Sequence, residues 1–140
     1  MGNKWWVEHT GQQTWVGHNS RGSTVVMAPS DAGVPGSFSP GELLKLALGG
    51  CAGMSSAGPA IRRLGEDYAA TIAIDGIDHE TDDRYASFTE HIALDTAALD
   101  EAGREALVAA MGRAIDRTCT VGLTLRHGAS VTITFEDAPS

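Results

Sequence analysis

The stretch SPGELLKLALGGCAGMSSAGPAIRRL, residues 39–64, decides how this 140-residue chain folds. Ser39 can cap a helix, Pro40 suits the first helical position, and Glu42 stands three residues after the cap, where a capping box places its carboxylate. The residues that follow are apolar almost all round, the pattern of a helix buried on most sides. Gly49, Gly50, Gly53 and Gly58 each cost about 1 kcal/mol against alanine in a helix interior. That many glycines predicts another backbone packed very closely there. Pro59 predicts a kink or an interruption.

Outward from this helix the pattern is mixed. Upstream, Trp5, Val7 and His9 alternate with Trp6 and Glu8, and Thr14 to Val16 and Thr24 to Met27 are further β-rich runs. His18 to Gly22 reads as a turn cluster, and residues 29–38 as a loop rich in Gly, Pro and Ser. Downstream, strands are expected over 69–77 and 86–94, separated by a charged turn. An amphipathic helix is expected over 97–117, its core contacts drawn from Leu99, Ala102, Ala106, Val108, Ala109, Met111 and Ile115. A short segment over 118–125 precedes a last strand over 130–135, with Val131, Ile133 and Phe135 on one face. Strands, a long helix, strands, a helix and a strand make an α+β fold in one domain over residues 1–140.

Composition narrows the function classes. The apolar fraction of 42% is that of a folded domain. A formal net charge of -8 repels phosphate backbones and anionic lipid, which argues against nucleic acid and membrane surfaces as partners. No export signal follows the first residues, and the uncharged stretch over 46–61 is shorter than the ~20 apolar residues of a spanning helix. A cytoplasmic protein is expected. The five histidines, His9, His18, His79, His91 and His127, show no metal-ligand spacing with each other or with the cysteines, so no metal is expected. No phosphate loop, dinucleotide fingerprint or hydrolase elbow is present, and no cofactor is expected.

The two cysteines carry the remaining chemistry. In a reducing compartment they are unlike a structural staple. By composition they are either two inert buried thiols or a reactive pair. Cys51 lies well inside the long helix, beyond the first turn where a helix N-terminus acidifies a thiol. A reactive Cys51 therefore needs positive polarity from elsewhere. Cys119 sits in Arg117-Thr118-Cys119-Thr120-Val121-Gly122, far away in sequence.

Several pieces together resemble the OsmC/Ohr family. Phe38-Ser39-Pro40-Gly41-Glu42-Leu43-Leu44, running on to Cys51, resembles its central-helix motif. Cys119-Thr120-Val121 with Leu125 resembles its second cysteine motif, usually Cys-Pro-Val-Ser. Trp15-Val16-Gly17 and Arg21-Gly22 resemble its N-terminal strand and arginine turn. The resemblance extends from about Trp15 to Phe135. It implies a long buried central helix, an intertwined homodimer, and a thiol peroxidase for organic hydroperoxides. In that scheme Cys51 is the peroxidatic thiolate, Cys119 resolves its sulfenic acid to a disulfide, and a dithiol such as a lipoyl protein reduces the disulfide. Arg21 would supply the positive charge, and His18, three residues earlier, could line the same site.

One departure bears on the chemistry. The family's peroxidases usually carry a glutamate directly after the motif proline, paired with the arginine. Here that position is Gly41, and the carboxylate comes one residue later at Glu42. At about 100° per residue, the nine steps from Glu42 to Cys51 amount to about half a turn net. Glu42 is then a capping residue rather than a catalytic clamp, and Gly41→Glu is expected to raise activity. The missing clamp also leaves open a dimer that binds a small apolar ligand with little or no peroxidase turnover. A third reading is an inert dimer with two buried thiols.

Overall fold

The computed structural model describes residues 4–137. Its strands are β1 (Trp5–Gly11), β2 (Thr14–Asn19), β3 (Thr24–Met27), β4 (Ser37–Phe38), β5 (Ala70–Asp78) and β6 (Tyr85–Leu94). Its helices are α1 (Pro40–Leu64), α2 (Glu101–Thr118) and α3 (Thr120–His127). The α+β class expected from the sequence is the class observed. The chain divides into two compact units, one of residues up to 47 with 73–91, the other of residues 48–72 with 92 onward.

β1 to β4 form one sheet in the order β1-β2-β3-β4, and β5 and β6 form a second, two-stranded sheet. β1 and β2 pair antiparallel from Trp5↔Asn19 to Gly11↔Thr14, with a bulge between His9 and Gly11. The loop of this hairpin is only Gln12 and Gln13, and Gln12 takes a positive φ of 51° to close it. β2 continues through His18 and Asn19, so the turn to β3 is shorter than the expected cluster. The Asn19 side chain builds that turn by accepting from the N–H groups of Arg21 (2.9 Å) and Ser23 (3.0 Å). Gly22 supplies the positive φ, 85°, that the reversal requires. β4 then joins β3 in parallel, at Val26↔Ser37 and Met27↔Phe38.

α1 starts on the expected capping box. The N–H of Ser39 donates to Glu42 Oε1 at 2.9 Å, and the N–H of Glu42 donates back to Ser39 Oγ at 3.2 Å. The helix ends where Gly65, at φ 99°, donates its N–H to the Ile61 carbonyl. It runs on through Pro59, which was expected to kink or interrupt it. Leu48, Ala52, Ser56 and Ala60 recur every fourth residue and form its buried stripe with Gly49. The other side is open within this chain, with Met54 83% exposed and Leu46 and Ile61 also accessible. The close backbone predicted by the glycines is absent at Gly50, Gly53 and Gly58. A methyl at Gly53 would meet only the Ile72 side chain, and one at Gly58 only the Arg62 side chain of the same helix. The helix is thus buried along a stripe, not on most sides.

The second unit holds the core of Ala60, Leu107 and Met111, with Leu64, Tyr68, Leu94 and Leu99 packed on it. α2 starts at Glu101 rather than 97, because the Asp100 side chain caps it by accepting from the N–H of Gly103 at 2.7 Å. Leu107, absent from the expected core set, is fully buried, whereas Val108 is largely exposed. The alanines that set the expected phase carry too little apolar surface to orient a helix against a leucine. The segment over 118–125 is a third helix, α3. The expected last strand is not formed: residues 128–137 belong to no helix or strand, with Val131, Ile133 and Phe135 exposed at 84%, 76% and 96%. A strand needs a neighbouring backbone for its hydrogen bonds, and among the described residues none pairs with this segment.

Candidate active site

Cys119 is a hinge between two helices. Its N–H donates to the Ile115 carbonyl at 3.0 Å and closes α2. Its side chain is the N-cap of α3, accepting from the N–H of Gly122 at 3.4 Å. A methyl at Gly122 would sit 3.1 Å from the Cys119 sulfur, so glycine there lets the sulfur lie against the helix end. Cys119 is 2% exposed; Cys51 is half-buried, and neither is in a disulfide.

The first turn of α3 also serves Cys51. The thiol of Cys51 ionises more easily than an ordinary thiol, chiefly because the N–H of Val121 donates to it. Burial opposes this, and the Cys119 thiol, the N–H of Thr120 and the Ser55 hydroxyl add to the lowering. The physical cause is the end of a helix: its first N–H groups have no partner inside the helix and carry its positive end. Cys51 lies too deep in α1 to use that helix's own N-terminus, and borrows the N-terminus of α3 instead. Ser55, one turn after Cys51 in α1, shares its face. Thus the fold brings Cys51 and Cys119 together on the end of one helix.

The sequence reading missed α3 and therefore this source of polarity. Gly128, which ends α3 at φ 76° with its N–H on the Thr124 carbonyl, was the one signal pointing to a helix there. Thr, Val and Gly are indifferent helix formers, and cysteine is an uncommon cap.

The other expected site residues have these places. Arg21 is an exposed residue of the β2–β3 turn. His18 is a strand residue rather than a turn residue. Its ring stacks on Trp6 at 5.1 Å between centroids, and its Nε2 lies 3.7 Å from the Glu8 carboxylate. Glu42 is engaged in the capping box, and the Ser39 N–H, followed by the Ser39 hydroxyl, holds its carboxyl below the usual range. Gly41 is part of a cradle for Tyr85. A methyl at position 41 would lie 2.5 Å from the Tyr85 hydroxyl, and one at Gly76 would lie 2.8 Å from the ring. The Lys45 ammonium sits over the same ring, 5.1 Å from its centroid. A side chain at 41 would meet the Tyr85 hydroxyl, so the expected Gly41→Glu variant requires the end of that tyrosine to shift.

Among the described residues no group of three or more His, Cys, Asp or Glu is placed to hold a metal ion. No described helix is long and apolar enough to cross a membrane.

Comparison with known proteins agrees with this fold. The fold is similar to that of an OsmC-like protein of unknown function from Vibrio cholerae, with a TM-score of 0.59 and 14% identity over 89% of this chain and 94% of that one. It is also similar to the organic hydroperoxide resistance protein OhrB of Bacillus subtilis, with a TM-score of 0.57 and 17% identity over 86% of this chain and 89% of that one. In sequence the chain is 41% identical over 132 residues to an uncharacterized protein of Mycobacterium tuberculosis strain H37Rv, covering 94% of this chain and 95% of that protein. The model of the OsmC-like protein family matches residues 33–134, most of the chain and both cysteines, and the chain belongs to that family.

Proposed function

We propose that this protein is a thiol peroxidase that reduces organic hydroperoxides through a Cys51/Cys119 dithiol cycle, as a homodimer in a reducing cytoplasm. The observation that carries this reading is the position of the Cys51 sulfur on the N–H groups of Val121 and Thr120, against Cys119. The thiolate is the nucleophile, and a lowered pKa puts more of it at neutral pH. Cys51 attacks the distal oxygen of the peroxide and releases an alcohol. The sulfenic acid then condenses with the Cys119 thiol, giving a disulfide and water. A dithiol such as a lipoyl protein returns both thiols. The resemblance gives Arg21 the task of polarising the peroxide. The name of OhrB is consistent with this substrate class.

Steady-state consumption of cumene hydroperoxide with dihydrolipoamide tests the reading. Turnover that is lost in Cys51→Ser supports it. Cys119→Ser should trap a sulfenic acid on Cys51. Both thiols still reduced by intact mass after one equivalent of peroxide would remove the cycle.

A second reading has one observation in its favour. A groove of about 270 Å³ in the second unit is lined by Ile92, Leu94, Val108, Met111 and Ile115 together with Arg104. It suits a small apolar ligand with an anionic end. Ligand binding without peroxide turnover is the result that selects this reading.

A further inference from the structure

The first turn of α3 depends on sulfur. A helix start leaves four N–H groups without intrahelical partners. Here the N–H of Cys119 is taken by the Ile115 carbonyl of α2. Those of Thr120 and Val121 are taken by the Cys51 sulfur, and that of Gly122 by the Cys119 sulfur. Three of the four are therefore held by two atoms that the proposed reaction changes. α3 has only eight residues, a length that is marginal without such support, and Gly122 in its first turn weakens it further.

We infer that closing the Cys51–Cys119 disulfide releases the first turn of α3 and opens the buried Cys119 sulfur to an external dithiol. This rests on the dithiol cycle proposed above. The step is 2 R–SH + R′OOH → R–S–S–R + R′OH + H2O, both electrons coming from the two thiols. A Cys51 thiolate is a strong, charge-assisted acceptor for the N–H groups of Val121 and Thr120, while the Cys119 sulfur accepts that of Gly122. A disulfide sulfur is neutral and accepts weakly, and each sulfur must also turn toward the other to bond at about 2.05 Å. The oxidised pair therefore no longer holds the helix start.

The release answers a problem of access. In thiol–disulfide exchange the better leaving thiol departs first. Cys51, whose thiolate regains the N–H groups of Val121 and Thr120 as the S–S bond breaks, is that leaving group, so the incoming thiolate attacks Cys119 and forms a mixed disulfide with it. The second thiol of the reductant then displaces Cys119. Yet Cys119 is 2% exposed in the reduced chain. Loosening of Thr120 to Gly122 on oxidation uncovers the sulfur that must be attacked, and reduction rebuilds the cap over it.

Hydrogen exchange on the full chain, read peptide by peptide by mass spectrometry, tests this. The disulfide is closed with diamide, an azo oxidant that needs no peroxidase activity, and closure is checked by the loss of two hydrogens. Exchange of amides 120–123 is expected to quicken about tenfold or more, the effect of losing one or two charge-assisted hydrogen bonds, with the middle of α2 unchanged. Cys119→Ser keeps a capping oxygen but cannot close the bond, and diamide should leave its α3 exchange as it was. A closed disulfide with unchanged exchange at 120–123 overturns the release. Diamide that closes no disulfide overturns the release and the dithiol cycle together. Closure by diamide but not by hydroperoxide removes the peroxidase reading alone, and exchange at 120–123 then decides the release.

Discussion

The Cys51 thiol ionises more easily chiefly because of the Val121 N–H, with Thr120 adding to the effect, and their shares can be separated residue by residue. Proline is tolerated in the first helical turn, where its missing N–H has no intrahelical use. Val121→Pro removes the leading donor, and the reaction with peroxide at neutral pH should slow about tenfold, the cost of one hydrogen bond to a charged group. Thr120→Pro removes a smaller contribution and should slow it by about threefold or less. In both, the midpoint of the pH–rate profile should move up toward the ordinary thiol range. The sign follows from the acid form: a lowered pKa keeps the thiolate down to lower pH, and losing the donor raises the pH at which it appears. Arg21→Ala separates the two contributions. If the end of α3 supplies the polarity, this variant should lower the rate with little movement of the midpoint. Gly41→Glu should be destabilised by about 1–3 kcal/mol, the usual cost of overpacking, because its side chain meets the Tyr85 hydroxyl. Combining it with Tyr85→Ala should recover part of that loss in thermal melts, and a purely additive pair would exclude the contact as the cause.

At the scale of elements, α1 shows what local chemistry makes legible. Ser39 and Glu42 stand three residues apart, so their reciprocal bonds depend on nothing distant, and the capping box was readable from the sequence. Its carboxylate is held below the usual range, so it stabilises the fold above the unfolded pKa, and that support is lost as pH falls through the folded one. Glu42→Gln should flatten that part of the acid melting curve and leave the peroxide rate nearly unchanged. A loss of peroxide reactivity with folding intact would make Glu42 catalytic instead. α3 was not legible, because its cap is a cysteine, an uncommon capping residue, followed by indifferent helix formers. The place of Tyr85 was not legible either, since Gly41, Gly76 and Tyr85 meet only through the fold. The cysteine pair itself was readable only by resemblance. Composition alone favoured two inert buried thiols.

At the scale of the molecule, the segment over 130–135 has the alternation of a strand, and what this chain lacks is a backbone beside it. A second copy is the occupant expected, together with cover for Met54 and the open side of α1. Light scattering at micromolar concentration should give a dimer, and Phe135→Asp, which puts a charge on the expected interface, should shift it toward monomer. A wild-type monomer would count against the dimer. The same segment has a further consequence. Val131-Thr132-Ile133-Thr134-Phe135 is uncharged, β-prone and free of proline, the composition of a segment that stacks into fibrils when left uncovered. If a second copy shields it, dilution below the dissociation constant should hasten turbidity rather than suppress it, the reverse of ordinary colloidal behaviour, and Phe135→Asp should abolish that anomaly by making the uncovered segment self-repelling.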